Sequence, residues 1–217
     1  MRALIETMNA LLDAILPRRE RRMRTERRQL EDIPLSPVTH DLLGVQITTL
    51  MDYQNSAVQD LIRSLKYDGS SHAAKLAAAV LSDYLREEIS SSKTFSVRKI
   101  VIVPVPLHKS RSRERGWNQI ELVLRALPKE FLDGQLAMFA PHALTRTRAT
   151  KPQTRLPRSE RLSNVAGAFA ATDEAVIRDT HIFLIDDVTT TGATLANAAT
   201  PLRQSGASVT LITLARA

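Results

Sequence analysis

The apolar and polar positions of this chain change period several times, and each change marks an element. Leu4, Ile5, Met8, Leu11, Leu12 and Ile15 recur at helical spacing up to Pro17, which predicts an N-terminal helix. Residues 17–40 are rich in arginine, then broken by Pro34 and Pro37, and read as an extended linker or wrapped arm. Val45, Ile47 and Thr49 alternate as in a strand over residues 44–50. Val58, Leu61, Ile62 and Leu65 form the apolar stripe of a helix over residues 56–66, closed near Gly69. Ser71 is expected to cap the next helix, whose inner face is Leu76, Ala77, Val80, Leu81, Tyr84 and Leu85. The run Lys99-Ile100-Val101-Ile102-Val103-Pro104 is continuously apolar after its lysine, as in a strand buried on both faces of a parallel sheet. Helical spacing returns through Ile120, Val123, Leu124 and Leu127; residues 142–145 make a short strand at most. Residues 146–164 show no period and predict a long loop, of the kind that often covers an active site. Ile182-Phe183-Leu184-Ile185 is a second buried strand, followed by a helix over residues 193–204, a turn at Gly206 and a last strand over 209–214. Strands alternating with helices imply an α/β fold: a mostly parallel sheet with right-handed crossovers, flanked by helices.

A chain of 217 residues, 43% hydrophobic, fits one α/β domain with an appendage or two small domains. No apolar stretch reaches the roughly 18 residues a membrane span needs. Glu6 and Asp13 interrupt the apolar residues at the start, so no secretory signal is expected and the expected location is cytoplasmic. The absence of cysteine excludes disulfides, thiolate zinc sites and a cysteine nucleophile together. His40, His72, His108, His142 and His181 are dispersed and suggest no substitute zinc site. Thirty basic against 23 acidic residues give a net charge of +7, and the excess is clustered. Residues 18–28 hold seven arginines, and further clusters lie at residues 109–115 and 146–161. Each cluster suits either a solvated face or a polyanion, nucleic acid included.

The most informative segment is Asp186-Asp187-Val188-Thr189-Thr190-Thr191-Gly192-Ala193-Thr194 after the strand at residues 182–185. Ligands of open α/β sheets bind at the carboxyl ends of the strands. The two carboxylates can accept hydrogen bonds from sugar hydroxyls or hold a hydrated Mg²⁺. The loop's amides, its threonine hydroxyls and the dipole of the following helix favour a phosphate. A ligand with a diol beside a phosphate is a ribose 5-phosphate. No glycine is followed by lysine, so an acidic pair serving a P-loop is excluded, and no G-x-G-x-x-G or G-x-S-x-G occurs.

The segment Leu184-Ile-Asp-Asp-Val-Thr-Thr-Thr-Gly-Ala-Thr194 resembles the phosphoribosyl-pyrophosphate motif of type I phosphoribosyltransferases. Three further segments are similar to the competence-protein F (ComF/GntX-like) branch of that family: Leu61-Ile-Arg-Ser-Leu-Lys-Tyr-Asp-Gly69; Val103-Pro-Val-Pro-Leu-His-Lys-Ser-Arg-Ser-Arg-Glu-Arg-Gly-Trp-Asn-Gln119; and residues 146–169 with Lys151-Pro-Gln153, Glu160-Arg161 and Asn164-Val-Ala-Gly-Ala-Phe169. Many relatives carry an N-terminal cysteine-rich zinc module, whereas Leu16-Pro17-Arg18-Arg19 stands in its place here, so no zinc is expected.

The resemblance implies a type I phosphoribosyltransferase-like core over residues 96–217, a hood-like helical region over 41–95, and an N-terminal helix and arginine-rich linker over 1–40. It implies Mg²⁺-dependent pentosyl transfer from phosphoribosyl pyrophosphate to an unknown acceptor. Asp186 and Asp187 would hold the ribose hydroxyls, and the metal through them or through water. Thr190, Thr191, Gly192, Ala193 and Thr194 would bind the 5-phosphate. Pro106, Leu107, His108, Lys109 and Arg111 would form the pyrophosphate loop, with Lys109 as the constant cation in a catalytic role. Arg146, Arg148, Lys151 and Arg155 would belong to a flexible loop that closes over the reacting sugar. Arg113, Arg115 and Asn118 read equally as surface or capping residues and as ligands. Trp117 reads as packing rather than a stacking platform, and Lys66 and Tyr67 as packing or family function. The alternative is a non-catalytic protein of the same fold that binds single-stranded DNA during DNA uptake. No membrane partner is expected, and a homo-oligomer stays open.

Overall fold

The computed structural model describes residues 18–95, 98–108, 116–148 and 167–217. The predicted helix before Pro17 lies outside these residues, as do Lys109, Arg111, Arg113, Arg115, Lys151, Arg155 and the whole of residues 149–166.

The strands are β1 (Val38–Leu42), β2 (Val45–Asp52), β3 (Lys99–Pro104), β4 (Met138–Phe139), β5 (Leu144–Arg146), β6 (Phe169–Ala171), β7 (Thr180–Thr189) and β8 (Ser208–Arg216). The α-helices are α1 (Arg18–Arg27), α2 (Ser56–Arg63), α3 (Ser71–Phe95), α4 (Gln119–Arg125), α5 (Glu174–Ile177) and α6 (Ala193–Gln204). Six strands form one sheet in the order β1-β2-β8-β7-β3-β4, parallel throughout except for the antiparallel β1–β2 hairpin. This is the mostly parallel, helix-flanked sheet that the sequence predicts. β5 and β6 pair separately as an antiparallel ribbon.

The apolar runs explain the layers. In β3 and β7, Ile100, Ile102, Phe183 and Ile185 face one core with α2, α3 and α4, while Val101, Val103, Ile182 and Leu184 face the other with α6. A strand covered on both faces has no polar side to show, so its sequence is continuously apolar. From β3 the chain crosses by α4 to β4 on one side; from β7 it crosses by α6 to β8 on the other. The carboxyl ends of β3 and β7 therefore flank the point where strand order reverses, which is where open α/β sheets bind their ligands.

Several local expectations change. The arginine-rich segment is not an extended linker: residues 18–27 form α1, which docks on α2. Arg24 and Arg28 both reach the buried Asp60 carboxylate, at 3.2 and 3.3 Å. Thr25 and Ser64 share a buried hydrogen bond of 2.9 Å, and His72 Nε2 donates to the Arg28 carbonyl at 3.0 Å. The helix over residues 56–66 ends its α-form at Arg63 and continues as a π-turn, Ser64–Asp68, closed by Gly69 at φ +56°. Ser70, not Ser71, caps α3: its Oγ accepts the Ala73 N–H at 3.2 Å. The predicted strand over residues 44–50 is β2, joined to the unpredicted β1 by a tight turn with positive φ at Leu43 and Gly44. Among the described residues no helix is long and apolar enough to cross a membrane.

Candidate functional site

β7 carries the acidic pair within the strand rather than just after it. Pairing with β8 continues past Ile185 through Asp186↔Thr213, Val188↔Ala215 and Thr189↔Arg216, because β8 is long enough to supply partners. The Asp187 N–H donates to Asp186 Oδ1 at 2.9 Å, and the Val188 N–H donates to Asp187 Oδ1 at 2.7 Å. Both aspartates are half-buried. Burial, and secondly the neighbouring Asp187 charge, push the Asp186 carboxyl well above the usual range; the Arg146 guanidinium opposes this only weakly. A carboxyl that loses its proton reluctantly is stabilised when a cation or a hydroxyl donor arrives.

The threonine turn follows at once. Thr189 Oγ1 accepts the Gly192 N–H at 3.1 Å and Thr191 Oγ1 accepts the Ala193 N–H at 3.4 Å, so the turn is braced by its own side chains. Gly192 sits at φ +80° as the residue before α6, a left-handed conformation that glycine adopts without strain. A Cβ there would lie 2.8 Å from Ile47 Cδ1 and 2.9 Å from Leu42 Cβ, so the β1–β2 hairpin presses directly on the turn. Thr191, Gly192 and Ala193 are buried, while Thr190 and Thr194 are half-buried. Expected as an open cradle of amides, the turn uses two of its N–H groups internally. At the chain's end, the Ala217 N–H donates to the Thr189 carbonyl at 3.0 Å, and Arg216 donates to His40 Nδ1 at 2.9 Å.

The segment after β3 starts beside β7: the Val105 N–H donates to the Ile185 carbonyl at 2.8 Å. Pro106, Leu107 and His108 are half-buried. Where the chain re-enters the described residues, Asn118 ties the segment's ends together. Its Nδ2 donates to the Val105 carbonyl at 3.1 Å, and its Oδ1 accepts the Ile120 N–H at 3.2 Å as the cap of α4. The capping role of Asn118 is thus present in the structure. Trp117 packs: its indole N–H donates to the Leu65 carbonyl at 3.0 Å, and a Cβ on Gly69 would lie 3.0 Å from its ring. Two of the family-like segments thus lock together. Lys66 lies over the Tyr67 ring at 5.0 Å.

Arg146 differs from expectation. It ends β5 opposite Phe169 instead of opening a loop, is 8% exposed, and lies 5.2 Å from the Phe169 ring centre. Its positive charge lowers the Asp186 carboxyl slightly, against the larger effect of burial. Arg148 is exposed.

One residue at the site had no assigned role. Gln119, the first residue of α4 and 3% exposed, donates from Nε2 to Asp187 Oδ2 at 3.2 Å. Its only signal in the sequence was its place at the end of the segment following β3. Among the described residues no group of three or more histidines, cysteines, aspartates or glutamates converges as a metal cage. The acidic pair offers two carboxylates, which suits Mg²⁺ if the ligand's oxygens and water complete its octahedron.

No protein-family model matches the chain. It is 33% identical over 163 residues to DNA utilization protein YhgH of Escherichia coli (strain K12), covering 75% of this chain and 67% of that one. It is 32% identical over 164 residues to competence protein ComFC of Bacillus subtilis (strain 168), covering 75% and 61%. Among solved structures it aligns with an adenine phosphoribosyltransferase at 13% identity and a TM-score of 0.37, covering 87% of this chain and 89% of that one. The strand order and its reversal point, not this superposition, locate the candidate site.

Proposed function

This chain belongs to the family of competence protein ComFC and DNA utilization protein YhgH, and from that premise we propose that it binds phosphoribosyl pyrophosphate with Mg²⁺ at the carboxyl ends of β3 and β7. The observation that carries the reading is the adjacency, on one strand end, of an acidic pair and a braced threonine turn at a helix N-terminus.

In this reading Asp186 and Asp187 accept the ribose hydroxyls, and their charge favours the cation that develops at C1 as pyrophosphate departs. Residues 190–194 fix the 5-phosphate through hydroxyls, the remaining amides and the α6 dipole. Fixing both ends of the sugar removes rotational freedom before reaction, which supplies several kcal/mol of rate enhancement. His108, with Lys109 and Arg111 by resemblance, meets the leaving pyrophosphate. Bound Mg²⁺ would be held by Asp186 and Asp187, directly or through water, and would neutralise diphosphate charge. Transfer to an acceptor is the activity we assign, and the acceptor itself is left open. Calorimetry with phosphoribosyl pyrophosphate and Mg²⁺ tests the reading: saturable binding that Asp186→Ala with Asp187→Ala abolishes in a folded protein supports it, and unaltered affinity refutes it.

That relatives are DNA utilization and competence proteins supports a second reading, in which this protein handles single-stranded DNA without transfer. Arg22 and Arg27 are exposed on α1 and would serve such a strand. Oligonucleotide affinity that falls steeply with salt, with no pyrophosphate released from phosphoribosyl pyrophosphate whatever acceptor is supplied, supports this reading over the first.

A further inference from the structure

Gln119 holds an unspent acceptor against the acidic pair. The residue is 3% exposed, and its side chain is fixed because the next turn of α4 buries Ile120, Val123 and Leu124 in the core. Nε2 must be the atom facing Asp187 Oδ2, since the reverse orientation would set two acceptors against each other. That leaves Oε1 buried with no hydrogen-bond partner among the described residues. A buried acceptor without a donor is costly, and one beside a ligand site marks where a donor belongs. The planar amide keeps Oε1 next to Nε2, hence next to the Asp187 carboxylate. Asp187 Oδ1 is already engaged by the Val188 N–H. The vacant acceptor and the carboxylate beside it together suit a group that donates hydrogen bonds, such as a hydroxyl.

Resting on the reading above, we propose that Gln119 is a positioning and specificity residue of the acidic pair. Nε2 fixes the Asp187 carboxylate, and Oε1 accepts from a ring hydroxyl of the sugar phosphate, directly or through one water. The ligand class is then a ribo-configured sugar phosphate, discriminated from its deoxy analogue because the latter leaves Oε1 unpaired.

The test compares ribose 5-phosphate, its 2-deoxy and 3-deoxy analogues and inorganic phosphate on the full chain by calorimetry, with melting curves as a fold control. The wild type is expected to bind ribose 5-phosphate roughly tenfold more tightly than at least one deoxy analogue. Gln119→Met is expected to bring that ratio near one, chiefly by weakening ribose 5-phosphate. Gln119→Asn, which withdraws the amide by one methylene, gives the same collapse and replaces the first variant if that one fails to fold. Retained discrimination in both variants overturns the inference and leaves the parent reading intact. So does an equal loss for all four ligands, which is the signature of a merely structural role. Wild-type binding of ribose 5-phosphate no tighter than inorganic phosphate overturns the parent reading, and this inference with it.

Discussion

Replacing Gly192 by alanine probes how the hairpin and the threonine turn are built against each other. Two costs follow from the geometry. The backbone at φ +80° holds a Cβ only in the left-handed region, which costs an ordinary residue about 1–2 kcal/mol. The added methyl would also sit 2.8 Å from Ile47 Cδ1 and 2.9 Å from Leu42 Cβ. The isoleucine terminus can swing aside, but Leu42 Cβ moves only with the β1 backbone, so an overpacking cost of about 1–3 kcal/mol is added. A total near 3 kcal/mol corresponds to a fall in melting temperature of about 6–12 °C for a chain of this size. Thermal and urea unfolding followed by circular dichroism measure it. Adding Ile47→Val should recover only part of the loss, because the Leu42 contact persists. A fall of less than about 2 °C, or complete recovery in the double variant, would refute the claim that β1 and β2 clamp the turn.

Asp186→Asn should raise stability at pH 7. The folded carboxyl is pushed above its ordinary value of 3.8, so the native state holds the proton more tightly, and stability falls as pH rises from that value through the raised one. The variant's advantage in melting temperature should therefore shrink as pH drops toward 4; an equal gap at both pH values would contradict the burial argument. Trp117→Phe removes the bond to the Leu65 carbonyl and should lower stability by about 1 kcal/mol in urea, whereas an unchanged midpoint would show that bond to be idle. Asp60→Asn removes the carboxylate shared by Arg24 and Arg28 and should cost about 1–2 kcal/mol, discounted because Arg24 is half-exposed. Faster amide exchange confined to α1 and its contact with α2 would accompany that loss, and unaltered exchange there would contradict the docking.

What the sequence disclosed depended on whether local pattern or distant partners decided the structure. Ile182, Phe183, Leu184 and Ile185 announce a two-face-buried strand because burial on both faces requires it. The continuation through Asp186 to Thr189 is silent, since it is imposed by β8 alongside. β1 is hidden likewise: Val38-Thr-His-Asp-Leu42 is half polar and follows two prolines, and it pairs only because a left-handed turn at Leu43 and Gly44 folds it onto β2. α1 has almost no apolar stripe, so periodicity cannot reveal a helix that docks by ion pairs to Asp60. At the site, the acidic pair and threonine turn were legible as chemistry in consecutive residues. Gln119 was not, because it meets that pair from another element. The strand legible over residues 142–145 stops one residue short of Arg146, whose place in β5 is set by its pairing with Phe169.

The central claim is that one sugar phosphate spans the acidic pair and the threonine turn. A crystal structure of the protein with phosphoribosyl pyrophosphate and Mg²⁺ examines it most directly. The account predicts the 5-phosphate within hydrogen-bond distance of residues 190–194 and the ribose hydroxyls on Asp186 and Asp187. A ligand seated away from β7, or one whose phosphate leaves the threonine turn vacant, would contradict it.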